Sequence, residues 1–173
     1  MGFLAKQIFG LLKLLNSETG HNQIAAGIAA GFILGMTPAF SLQTLLVFLC
    51  LFVFRVQMGA AFLAAFFFKF AGWLLDPVFH QVGSAVLEID GLQGLFTTLY
   101  NMPIVPLTRF NNSIVMGSGV VTIICSPLVF FLSRSLIIKY RVTVVARFKQ
   151  TKFWKAVQAT SLYNWYYTYE KLY

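Results

Sequence analysis

The sequence predicts an all-α integral membrane protein. Three observations carry that reading. Apolar residues make up 58% of the 173-residue chain, and Asp, Glu, Lys and Arg only 10%, against about 25% in an ordinary soluble domain. Such a chain has too few polar side chains to cover a water-soluble globule, and it is far too apolar to be disordered. Residues 24–54 and 113–132 carry no charge at all, whereas Lys and Arg gather in the segments that flank these runs. The expected architecture is an amphipathic N-terminal helix, a Pro-broken (re-entrant) helical hairpin, two full transmembrane helices and a basic cytoplasmic tail. By region, that is an interfacial helix over 1–20, a single membrane domain over 21–138 and a basic, aromatic tail over 139–173.

The first element spans residues 3–15. Phe3, Leu4, Ile8, Leu11, Leu12 and Leu15 recur at helical spacing, with Lys6 and Lys13 on the opposite side. A helix of that pattern lies in the headgroup region with its lysines toward anionic lipid. No small-x-small cleavage site follows it, so it does not read as a signal peptide.

Residues 24–54 are too long for one straight span. A helix of that length reaches about 46 Å, against a hydrocarbon core of about 30 Å. Thr37-Pro38 falls near the middle, where proline removes a backbone donor and pushes the residue before it out of the helical region. Two short helices follow, 24–36 and 42–54, joined at 37–41. They form either a re-entrant hairpin or two very short spans.

Residues 56–75 make the first full span, ending at Asp76-Pro77 and carrying the single charge Lys69. Val82, Val86, Ile89, Leu92, Phe96 and Leu99 then give an amphipathic segment with Glu88 and Asp90 on its wet side. Residues 101–107 hold two prolines and read as a loop. Residues 113–132 are the second full span, kinked near Ser126-Pro127. Basic residues dominate from Arg134 onward, interleaved near the end with Tyr163, Trp165, Tyr166, Tyr167, Tyr169 and Tyr173.

Charge sets the expected orientation. Between residues 70 and 110 the one basic residue is Arg109, while Asp76, Glu88 and Asp90 all lie there. The positive-inside rule therefore places both termini and Arg55 in the cytoplasm. This works when the hairpin returns to its starting side, and fails when 24–54 is one kinked span.

Several constellations stand out. Gly27, Gly31 and Gly35 form a small-xxx-small stripe that admits another helix at close range. Its partner is the second arm of the hairpin, another subunit or another protein. Thr37, Pro38 and Gln43 sit at the hairpin tip, where a broken helix frees carbonyls and amides that bind ions or headgroups in transporters. Lys69, alone in a span, must snorkel, pair with Asp76 two turns on, or share a polar groove with Arg55 or the tip. Together with Pro77 these residues outline a polar path.

Catalytic signatures are missing. There is no carboxylate pair, nucleophile elbow, phosphate loop or metal-spaced cluster, so no enzyme activity, cofactor or metal is expected. Cys50 and Cys125 lie in apolar runs and read as small hydrophobes. The tail suits anionic headgroups better than nucleic acid, because a basic cluster beside a span meets lipid first. Asn22-to-Val56 and Asn112-to-Val142 are weakly alike, each with an Asn, an Ile, a Gly, a Thr/Ser-Pro and an Arg-Val in order. Paired broken helices are how many transporters are built.

The stretch 26–79 resembles a small bacterial membrane-protein family of unknown function. The carrying residues are Gly31-x-x-x-Gly35-x-x-Pro38-x-x-x-x-Gln43, then Phe54-Arg55-Val56-Gln57, then Trp73-x-x-Asp76-Pro77. Asp76 stands where the family usually has Asn, and Gln57 where Asn is common. The whole chain is most similar to a variant of outer-membrane bacteria, often encoded in a two-gene pair. That resemblance implies an inner-membrane component with a dedicated envelope partner. The expected function is thus a non-enzymatic inner-membrane subunit that anchors or gates a larger cell-envelope assembly, with lipid handling as its province. The alternative is a stand-alone oligomeric transporter or lipid scramblase.

Overall fold

A computed structural model describes residues 19–145, the side chains of 144 and 145 excepted. The expected interfacial helix at 3–15 and the aromatic end of the tail lie outside the described residues. Among the described residues the elements are helical: α1 His21–Met36, α2 Leu42–Val53, α3 Met58–Leu87, α4 Asp90–Tyr100, a 3-10 turn Val105–Thr108, and α5 Ser113–Tyr140 running into a π turn Arg141–Val145. The chain divides after Ser135 into two compact units, and the packing described below lies within the first.

The hairpin forms where local chemistry demands it. Thr37, ahead of Pro38, is extended at φ −88° and ψ 151°, so α1 stops one residue earlier. Three residues after the proline, Ser41 caps α2 by accepting from Thr44 N at 3.3 Å. The two arms then return to a common end. Gln57 N donates to Gln23 O at 3.2 Å, and the Gln57 side chain accepts from Gly59 N as the cap of α3. The hairpin therefore folds back on itself.

Helix α3 departs from expectation. Its predicted end at Asp76-Pro77 is passed without a break, and the helix continues to Leu87. The amphipathic segment expected over 82–99 is accordingly divided at Glu88–Ile89 between the end of α3 and the separate α4. The reason is tertiary. Beyond Pro77, α3 is clamped against α5 where Gly83 meets Gly117. A β-carbon on Gly83 would overlap Ser113 O, and one on Gly117 would overlap Phe79 O. Only glycine allows the backbones this close.

Helix α5 also runs through its proline, Pro127. Here Ser126 Oγ donates at 3.0 Å to Ile123 O, the carbonyl that the proline cannot serve. A hydroxyl beside the proline thus replaces the missing N–H, one of the ways spanning helices keep a proline. The second half of the weak internal similarity therefore lacks the break that defines the first.

The glycine stripe packs inside the chain, but not on the arm that follows it. Its partner is α3. A β-carbon on Gly27 would come 2.5 Å from Gln57 O and 3.0 Å from Ala60 Cβ; one on Gly31 would overlap Ala61 O; one on Gly35 would lie 2.6 Å from Phe68 Cβ. The facing residues Ala60, Ala61, Ala64 and Gly72 are themselves small and buried.

Two helices, 58–87 and the one beginning at Ser113, are long and apolar enough to cross a membrane, and only 28% of the most apolar stretch of each is buried. A core helix of a soluble protein would be mostly buried, so these point to a membrane protein. Both reach beyond about 30 Å at 1.5 Å per residue, while α1 and α2 span only about 24 and 18 Å.

Candidate functional site: the hairpin tip

Three short side chains close the broken helix. Thr37 is fully buried and Ser41 nearly so. Thr44 Oγ1 donates to Pro38 O at 2.9 Å and lies 3.0 Å from the hydroxyls of both Ser41 and Thr37. Each hydroxyl has one proton, so the three hydroxyls cannot make all four of these contacts as hydrogen bonds at once. With Thr44 donating to Pro38 O and Thr37 to Ile33 O at 2.8 Å, Ser41 is the donor to Thr44, and the Thr37–Thr44 contact carries no proton. The carbonyl of Thr37 itself is met from α3, where Lys69 Nζ donates at 3.0 Å. Lys69 thus ties the tip to the helix behind it. Of the three partners expected for Lys69, the tip is the one it finds.

Gln43 leaves the tip on the other side. Its Nε2 donates to Val115 O of α5 at 3.2 Å and rests against Gly119, whose missing side chain makes the room. Its Oε1 is buried, with no hydrogen-bond partner among the described residues.

Two cavities flank the tip. The polar one, about 270 Å³, is lined by Lys69, Asp76, Arg109 and Asn112, with Pro38 and Trp73 among its walls. Its charged side chains are two cations and one carboxylate. The apolar one, about 440 Å³, runs from Ala39 to Phe48 on the hairpin and along Ile104, Leu107 and Thr108 of the outer loop. The two linings hold neighbouring residues of the chain at two places, Pro38-Ala39 on the hairpin and Thr108-Arg109 on the loop.

Arg109 is the residue that sequence reasoning passed over. It has a left-handed backbone, φ 57° and ψ 28°, unfavourable for a residue with a Cβ. The conformation is held by Arg109 N donating to Pro106 O at 3.0 Å and by Asn112 N donating to Arg109 O at 2.9 Å. Asn112 in turn caps α5 with its side chain, accepting from Ile114 N and Val115 N. One signal was visible: Arg109 is the lone cation in an otherwise acidic stretch. Ser41 and Thr44 were legible as the cap of the second arm.

Other sequence-predicted site residues are not brought together. Arg55 is exposed in the link between α2 and α3, at the far end of the hairpin, and lines neither cavity. Pro77 is exposed on α3 and likewise outside both. Asp76 shares the polar cavity with Lys69 but, among the described residues, has no side-chain hydrogen bond or ion pair. His80, one turn after Asp76, bonds Ser113 through Nδ1 at 2.6 Å across the α3–α5 crossing. Both thiols are free, and no group of three His, Cys, Asp or Glu side chains able to hold a metal occurs among the described residues.

The hairpin, the tip and both long helices fall inside one match. Residues 8–144 match a family described as an uncharacterized protein conserved in bacteria, DUF2062. The chain belongs to that family. It is similar to an uncharacterized protein of Treponema pallidum (strain Nichols), 28% identical over 138 residues that cover 80% of this chain and 85% of the relative. No solved structure matches it significantly. Within the family match, the Phe54-Arg55-Val56-Gln57 segment has a structural role here: Gln57 joins the start of α3 to the start of α1 and caps α3.

Proposed function

We propose that the protein is a non-enzymatic inner-membrane subunit that gates or anchors a larger cell-envelope assembly, and that it handles lipid at the hairpin tip. One observation carries the reading: the tip stands between a charged cavity and an apolar one, which together suit an amphipathic molecule. In the proposed topology α3 and α5 cross the bilayer with both termini cytoplasmic. The hairpin re-enters, because its arms fall short of the hydrocarbon thickness. Lys69 then lies about 17 Å along α3 from its cytoplasmic end, which brings the tip to mid-membrane or beyond. Loose backbone at that depth needs cover from protein or water. The polar cavity supplies it on one side. On the other side Phe40 is 81% exposed, and there a partner chain would supply it.

The glycine stripe is no longer available as a partner surface, since α3 occupies it. The surfaces left for an envelope partner are the outer face of α2 and the tail. A dedicated partner also agrees with the two-gene arrangement that the resemblance implies. The non-enzymatic reading rests on the thin polar inventory; among the described residues no further side chain bonds the exposed His80–Ser113 pair.

The test is purification of the tagged protein from native membranes in mild detergent, followed by mass spectrometry. A stoichiometric large envelope protein is the expected result. A lone oligomer with bound lipid would sink the subunit reading in favour of a stand-alone transporter or scramblase, which the line of Thr37, Lys69 and Asp76 through the tip also suits. Liposome flux with Lys69→Leu then decides whether that line conducts.

A further inference from the structure

Resting on the lipid-handling reading, we infer that the polar cavity binds the headgroup of an anionic glycerophospholipid by its phosphodiester. Lys69 and Arg109 hold the phosphate, and Asp76 accepts from a headgroup hydroxyl.

Charge balance is the first argument. Lys69, Arg109 and Asp76 leave the cavity with one uncompensated positive charge beside apolar walls that include Met36, Ile114 and Val115. Unbalanced charge is strongly disfavoured next to hydrocarbon. A phosphodiester carries one negative charge and neutralises the site.

Donor supply is the second. Lys69 commits one N–H to Thr37 O and keeps two. The Arg109 side chain is exposed at the cavity with no side-chain bond among the described residues, while its backbone is fixed by Pro106 and Asn112. A planar guanidinium and an ammonium converging on one phosphate is a recurrent arrangement.

Asp76 sets the class of phosphate. A half-buried carboxylate with no partner among the described residues repels a dianionic phosphomonoester, but it accepts readily from a hydroxyl. The site therefore prefers a diester with a hydroxylated headgroup to a bare phosphate ester.

The apolar cavity sets the source. Its lining follows that of the polar one along the chain at Pro38-Ala39 and Thr108-Arg109, and acyl chains attached to a bound headgroup would lie there. A soluble phosphate makes no use of it.

The experiment is native mass spectrometry of the full-length protein in detergent, offered an equimolar mixture of phosphatidylglycerol, phosphatidylcholine and phosphatidic acid. Phosphatidylglycerol should be retained about tenfold over each of the others, the size of one charge-assisted contact. Arg109→Asn removes the cation while tolerating the left-handed backbone, and should abolish the preference. Lys139→Gln, a cation outside the cavity, should leave it intact. Asp76→Asn should admit phosphatidic acid. Equal retention of all three lipids by the wild type overturns the inference, and so does a preference that survives Arg109→Asn. Displacement of phosphatidylglycerol by millimolar glycerol 3-phosphate would make soluble phosphate the ligand and overturn the lipid assignment. Lipid transfer between vesicles separates this inference from the reading beneath it. If Arg109→Asn changes transfer while headgroups are retained without preference, the headgroup inference falls and lipid handling stands. Selective retention with no transfer effect of any tip variant has the opposite meaning.

Discussion

The two arms of the hairpin are alike in length class and lack of charge and opposite in use. Both are short, apolar and free of charge. Yet α1 buries Ile24, Ala25, Gly27, Gly31, Phe32, Gly35 and Met36, whereas α2 buries only Leu51. The difference follows side-chain size: α2 is the more hydrophobic arm and yet the less buried. Small residues every fourth position let α1 lie against the alanines of α3, while the leucines and phenylalanines of α2 hold other helices away. Between lipid-like surfaces there is no hydrophobic gain from association, so close packing decides which arm is inside.

That comparison can be broken at a single residue. Gly31→Leu puts a side chain into Ala61 O. It should unseat α1 from α3, destabilising the protein by about 3 kcal/mol or more, read by chemical denaturation in micelles. Retention of wild-type stability would mean that the close crossing is not what holds α1.

A smaller effect is expected where the arms meet. Lys69→Met removes the donor to Thr37 O and leaves that carbonyl unserved, a loss of about 1–3 kcal/mol. Amide exchange should rise across 37–44 and stay low in the middle of α1. Uniform exchange throughout the hairpin would show that Lys69 is not a local tie. Thr44→Val breaks the hydroxyl chain but keeps the shape, and should lower stability by about 1 kcal/mol with the same exchange pattern. The smallest change belongs to the outer arm. Leu46→Ala, on a half-exposed position of α2, should shift stability by less than about 0.5 kcal/mol. A larger loss would reveal a second chain packed on that face.

Much of the hairpin was legible because its signals are local. Thr37-Pro38 stops one helix, and Ser41 with Thr44 starts the next within the same few residues. The other prolines carry the same stop signal, but no capping residue follows at the matching distance. At Pro127 the repair is also local, since Ser126 stands beside it. At Pro77 the helix is held by the Gly83–Gly117 crossing, and nothing near Pro77 announces a glycine on another helix. The candidate site was legible in part for the same reason. Thr37, Lys69 and Asp76 are unusual for where they stand in apolar runs. Arg109 and Asn112 lie in a loop, where charge is ordinary, and only folding brings them to the tip.

From composition and spacing alone came the helical class, the two long apolar helices and the interruption of the helix at Thr37-Pro38. Each is a property of one segment and needs no knowledge of neighbours. Tertiary structure decided which helix the glycine stripe meets, which carbonyl Lys69 serves, how far α3 runs, and which loop completes the polar cavity. These are pairings between residues tens of positions apart. A stripe of glycine accepts any helix with a small-residue face, and an ammonium accepts any free carbonyl, so the choice falls to whichever surface the folded chain brings within reach.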